Sequence, residues 1–255
     1  MEIEFSAHED YVQLKEDYPT PIKTNIPKWF KELTHGRTED NAVFKRTIKG
    51  CMPFLETLTN GYLLKVPTDY LIKHGTEKND KDEPITSSET SFDAHQMDMQ
   101  LYVRGHNISG ATCHPIEQLK GSPFIEKNGN LPFHKILNPW QIKTPKGYSC
   151  LFINPMNNKE QDLFSIIPGI VHTDKFPQEI NFPFIINFEK YGPKQFIIKK
   201  GTPYVQIIPF KRDNWKMKIR KKTSDQTKIT KKEYLTLKKH HGRKSIHTSQ
   251  IKFFR

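Results

Sequence analysis

The chain has 255 residues, a formal net charge of +12, 27% charged residues and 35% hydrophobic ones, among them 17 Phe, 9 Tyr and 3 Trp. That aromatic content excludes a wholly disordered chain, and no apolar run approaches the roughly 18 residues of a membrane-spanning helix. The charge is uneven: 16 of the 40 Lys/Arg but only 3 of the 28 Asp/Glu follow residue 210. A near-neutral body therefore precedes a basic tail suited to nucleic acid, an acidic protein surface or another polyanion.

The first residues alternate apolar and polar around Ile3 and Phe5, which predicts an early strand. Pro19, Pro21 and Pro27 break the following stretch, and Lys28–Leu33 predicts a helical turn with Pro27 at its start. Val43–Ile48 is a strand candidate and Phe54–Leu58 a helical turn. Tyr62–Val66, fenced by Gly61 and Pro67, predicts a strand with Tyr70–Ile72 as its hairpin partner. His74–Ser91 is polar enough to predict a surface loop or a hairpin tip. Phe92–Val103 fits either a helical or a strand period.

From Phe133 to Phe210 short apolar runs recur between turn residues: Trp140–Ile142, Ser149–Ile153, Phe164–Ile167, Gly169–Val171, Phe182–Phe188, Gln195–Ile198 and Tyr204–Phe210. This spacing predicts a sandwich or barrel and not alternating βαβ units. Thr230–His240 predicts a helix, with Thr230 and Glu233 as a capping box and Gly242 as its stop. The expected architecture is mainly β, with N-terminal strands and short helices (1–131) packed on a distorted barrel or sandwich (132–210). A basic, partly helical C-terminal arm (211–255) ends the chain.

Cys51, Cys113 and Cys150 are an odd set without CxxC spacing, giving neither a disulfide framework nor a zinc signature. The acidic N-terminus has no apolar core of a secretory signal. A cytoplasmic setting, or a virion, is expected, with no membrane partner and no cofactor.

Three segments carry a family likeness. Pro145-Lys146-Gly147-Tyr148 opens a strand, Gly169–Glu179 reads GIVHTDKFPQE, and Ile197–Ile208 reads IIKKGTPYVQII. In order and spacing they resemble the dUTPase and dCTP-deaminase β-barrel superfamily. The resemblance implies a dUTPase-like barrel, a trimer whose C-terminal arm crosses to a neighbour, and a pocket lined by Tyr148, His172, Asp174 and Gln206. It does not carry the pyrophosphatase activity. His172 stands where the family has its sugar-binding Asp, Asn154–Asn158 lacks the phosphate-binding Arg and Ser, and a Lys-rich tail replaces the Gly-rich closing arm. Most of the chain also resembles a family of tailed-phage and bacterial hypothetical proteins. Ile26–Lys31, Lys49–Tyr62 and Asn138–Met217 carry that likeness, which implies a viral gene product.

Each candidate residue has two readings. His172 and Asp174, two apart on one strand face, suit a ligand or metal, and equally a turn-stabilising Asp beside an exposed His. Trp140 suits base stacking or core packing. Cys113 and His114, with Cys51 or Cys150, are too few for structural zinc and suit buried thiols. In the tail, Lys211, Arg212, Lys216, Lys218, Arg220, Lys221, Lys222, Lys231, Lys232, Lys238, Lys239, Arg243 and Lys244 alternate with aromatic and apolar residues. They suit polyanion binding or contact with an acidic partner or subunit.

The expected role is a non-catalytic viral structural or interaction protein, homo-oligomeric, with the arm binding its partner. Two alternatives are a nucleotide-binding or nucleotide-hydrolysing enzyme with an altered dUTPase-like site, and a metal enzyme. The metal reading would draw on His95, His106, His114 and His134 with Asp93 or Glu117.

Overall fold

A computed structural model describes residues 1–7, 9–12, 15–38, 44–90, 113–157 and 162–241. The described chain is mainly β. In order, the strands are β1 (Glu4–Ser6), β2 (Thr20–Pro21), β3 (Gly36–Thr38), β4 (Phe44–Arg46), β5 (Tyr62–Lys65), β6 (Tyr70–Lys78), β7 (Pro84–Thr90) and β8 (Cys113–His114). They continue with β9 (Phe133–Ile136), β10 (Gln141–Lys143), β11 (Tyr148–Ile153), β12 (Phe164–Ile166), β13 (Gly169–Val171), β14 (Phe182–Ile186), β15 (Lys194–Ile198) and β16 (Pro203–Lys211). Short helices fall at Lys28–Glu32 and Met52–Thr57, and one long helix at Ser224–His241.

The chain divides into two compact units. The first is Met1–Pro27 with Thr57–Arg212; the second is Lys28–Glu56 with Asp213–Arg255. The first holds a five-stranded sheet, β13-β11-β16-β5-β2, a four-stranded sheet, β12-β14-β9-β8, a three-stranded sheet, β15-β6-β7, and the pair β1-β10. The described pairings are antiparallel. Alternation puts one face of each strand inward. Leu64, Cys150, Phe152, Val205 and Ile207 from the first sheet meet Ile136, Ile166, Phe182, Phe184 and Ile186 from the second, with Tyr70, Ile72, Trp140 and Ile142. These residues form one apolar core.

The barrel expectation is corrected: among the described residues no ladder closes on itself. Closure needs an unbroken ring of pairings, and the chain instead changes sheet at short breaks. Pro168, which has no N–H to donate, sits where β12 in the four-stranded sheet gives way to β13 in the five-stranded one. The expected hairpin between Tyr62–Val66 and Tyr70–Ile72 is also corrected. β5 pairs with β16 and β2, and β6 pairs with β15 and β7. The cause lies in the link between them. Val66 and the Lys199–Thr202 turn exchange backbone bonds of 2.9 and 2.8 Å, and the Asp69 carboxylate accepts from Lys200 N at 2.7 Å and Lys199 Nζ at 2.8 Å. The link therefore follows the β15–β16 turn and sends each strand to a different sheet.

Of the two expectations for the polar stretch from His74, the structure shows the hairpin, with β6 and β7 paired up to a tight tip. Asn79 Oδ1 accepts from the backbone N–H of Lys81 and of Glu83, both at 3.0 Å. Phe92–Val103 lies outside the described residues. In the second unit, Phe30 stacks on Phe54 with ring centroids 5.8 Å apart, and Trp29 meets both edge-on. The long helix starts at Ser224, and the capping box is Thr223 with Gln226: Thr223 N donates to Gln226 Oε1 at 3.1 Å, and Gln226 N to Thr223 Oγ1 at 3.3 Å. Thr230, expected as the cap, lies inside the helix and donates to Gln226 O.

Candidate functional site

The sequence grouped Tyr148, His172, Asp174 and Gln206 as a pocket and singled out Trp140 separately for base stacking. The structure brings three of them together. The turn before β11 and the turn after β13 meet where β16 ends. There Asp174, its side chain 2% exposed, faces the guanidinium of Arg212. Arg212 Nη1 donates to Asp174 Oδ1 at 2.8 Å, to Tyr148 O at 2.7 Å and to Ser149 Oγ at 2.8 Å, while Nη2 donates to Asp174 Oδ2. Gly147 N adds a bond to Asp174 Oδ2 at 2.8 Å. The Arg212 bonds, then the Gly147 amide, hold the Asp174 carboxyl well below its ordinary pKa. The exposed His172 ring meets Ser149 Oγ through Nδ1 at 2.8 Å. Both Asp174 oxygens are thus engaged within the fold, and the cluster ties off the end of the body.

Gln206 and Trp140 lie elsewhere. Gln206 is fully buried. Its amide donates to Asn60 O at 2.8 Å and Thr57 O at 3.1 Å, and its oxygen accepts from Met156 N at 2.8 Å. Trp140 is 5% exposed and packs edge-to-face on Tyr18 with centroids 5.6 Å apart.

A buried polar chain outside that pocket grouping runs through β6, β7, β8 and β9, and of its members the sequence had singled out His134 and Cys113 as metal candidates. His74 and His134 are both 0% exposed, with Nδ1 of the first 3.2 Å from Nε2 of the second. His74 Nε2 must donate to Asn128 O, at 2.9 Å, because a carbonyl only accepts. His74 Nδ1 is then the acceptor for His134 Nε2–H and for Thr86 Oγ1, the latter at 3.2 Å. That leaves His134 Nδ1 facing Cys113 Sγ at 3.6 Å. Burial pushes His74 down to about 4 and His134 to about 3, so both rings are neutral at pH 7. Residues 74 and 134 have no sequence signal linking them, since β6 and β9 belong to different sheets and meet only through tertiary packing. Among the described residues no group of three or more His, Cys, Asp or Glu is placed to hold a metal ion.

The basic tail divides at residue 212. Arg212 belongs to the Asp174 knot, and Lys211 is an exposed residue of β16 opposite Tyr148. From Asp213 to Thr223 no regular element forms and every residue is exposed, including Lys216, Lys218, Arg220, Lys221 and Lys222. Trp215, Met217 and Ile219 are 90%, 88% and 83% exposed. Lys231 and Lys232 are exposed on the helix, Lys238 and Lys239 fall in its last turn, and Arg243 and Lys244 lie outside the described residues.

Charge follows the division into units. The second unit takes 6 basic and 4 acidic residues from Lys28–Glu56, and 14 basic and 3 acidic from Asp213–Arg255. Half of the 40 Lys/Arg therefore share a unit with a quarter of the 28 Asp/Glu. Among the described residues no helix is long and apolar enough to cross a membrane. Compared with known proteins, the chain matches no family model, no curated protein and no solved structure.

Proposed function

We propose that this protein is a non-catalytic interaction protein whose basic second unit binds a polyanion, with nucleic acid as the partner its chemistry favours. The observation that carries this reading is the segregation of charge. An excess of cations gathered in one unit, beside a body with 20 basic and 21 acidic residues, is the electrostatic footprint of phosphate binding. The exposed Lys216, Lys218, Arg220, Lys221 and Lys222 are the contact set, joined by Lys228, Lys231 and Lys232, which share one helix face at i, i+3 and i+4. The likeness to tailed-phage proteins supports a viral gene product, and the likeness to barrel enzymes supports an oligomer by analogy.

The nucleotide-enzyme reading is less favoured. The carboxylate and amide it needs, Asp174 and Gln206, are engaged in internal hydrogen bonds. The test is the salt dependence of binding, read by fluorescence anisotropy of a labelled oligonucleotide with the full chain. Affinity is expected to fall steeply as salt rises, with a log–log slope of roughly −0.7 to −0.9 per phosphate contacted. Changing Lys216, Lys218, Arg220, Lys221 and Lys222 to Gln should flatten the slope. A full chain with no salt-dependent binding would sink the reading.

A further inference from the structure

Lys216, Lys218 and Arg220 occupy alternate positions of the exposed segment, with Trp215, Met217 and Ile219 between them. When such a segment is extended, alternate residues point to opposite sides, and like residues recur about every 6.6 Å. It then has one cationic edge and one apolar edge. A single nucleic-acid strand is built the same way, with phosphates along one side and unpaired bases along the other. A duplex turns its phosphates and groove edges outward and keeps its base faces stacked on one another, so it offers the apolar edge no base face to lie against.

From this two-sided match we infer that the 215–220 segment is a single-strand reader. Lys216, Lys218 and Arg220 hold the phosphates, Trp215 stacks on a base, and Met217 and Ile219 lie against its neighbours. The inference rests on the polyanion reading above and adds the form of nucleic acid that is selected. An anionic lipid surface also joins negative charge to apolar material. The helix that follows argues against it, because an interfacial helix needs a broad apolar face. Ser224–Thr236 is exposed throughout, and Ile229 stands a third of a turn or more from Tyr234 and Leu235 on the wheel.

The test uses the full chain with a labelled single strand and the matching duplex at the same salt, compared with the variant Trp215→Ser/Met217→Ser/Ile219→Ser, which keeps every cation. All three side chains are more than four-fifths exposed, so the variant should keep the parent's denaturation midpoint. The parent should bind the single strand about tenfold more tightly than the duplex, within the range of a stacked base. The variant should lose that preference while duplex affinity and salt slope stay as they were, and Trp215→Tyr should retain most of it. Equal affinity for both forms in the parent would overturn the inference and leave the polyanion reading standing. So would a variant that loses both equally, or anionic vesicles displacing the oligonucleotide from the parent but not from the variant. Absence of salt-dependent binding to either form would overturn both.

Discussion

Arg212 shows how a residue in a basic run can serve the fold. Four hydrogen bonds from its guanidinium reach Asp174, Tyr148 and Ser149, and a planar fork bonded on both prongs is unavailable to phosphate. Arg212→Ala should therefore lower the urea midpoint and leave the oligonucleotide salt slope unchanged; weaker binding at unchanged stability would reverse the assignment. Gln206 makes a parallel case. Gln206→Leu strands Met156 N and the carbonyls of Thr57 and Asn60, and should cost about 1–3 kcal/mol in urea unfolding, whereas a ligand-binding glutamine would give up affinity at little cost in stability. The sequence singled out Asp174 and Gln206 as pocket residues, and in the structure both are tied into the fold. Their partners lie 27 and 38 residues away for Asp174 and 50 or more for Gln206, so what they bond to was not legible before the strands were paired.

At the scale of elements, most strands from Phe133 to Phe210 were legible because each is a short apolar run between turn residues, with one pleat face to bury. Pairing was not. Nothing in Tyr62–Val66 or Tyr70–Ile72 announces that Asp69 will cap the Lys199–Thr202 turn and part them. The helix start was missed for a local reason: Thr223-Ser224-Asp225-Gln226 is as good a capping box as Thr230–Glu233, and the earlier one wins by adding turns to the helix. Thr223→Ala should lower helical circular dichroism, at a cost of about 1 kcal/mol to the helix, while Thr230→Ala should not.

The β6–β9 contact yields a pH prediction. His74 and His134 are neutral in the fold, with pKa values near 4 and 3 against 6.5 when unfolded. Below pH 6.5 the unfolded chain therefore binds more protons than the folded one, and stability falls as pH drops from 6.5 toward 4. Urea midpoints between pH 7 and 5 should decline, and His74→Phe/His134→Leu should flatten that decline; an equal slope in the variant would mean other groups govern it.

For the molecule as a whole, the body and the basic unit divide the labour. The body spends its polar groups internally, in the Asp174 knot, the Gln206 tie and the paired histidines. In the second unit Lys216, Lys218, Arg220, Lys221 and Lys222 stand exposed, together with Trp215, Met217 and Ile219. A tail of strong charge was plain in the sequence. That Lys28–Glu56 shares its unit was not, because its 6 basic and 4 acidic residues look unexceptional alone.

That unit is drawn from two stretches with Thr57–Arg212 between them, and the order of synthesis follows from this. On the ribosome Lys28–Glu56 emerges early and waits while the whole intervening body is made, a delay of roughly 10–30 s at 5–20 residues per second. All three rings of its aromatic cluster, Trp29, Phe30 and Phe54, lie in that early stretch, so their mutual contacts can form during the interval. A chain stalled before residue 213 should therefore already hold this aromatic cluster while lacking the 14 Lys/Arg that follow.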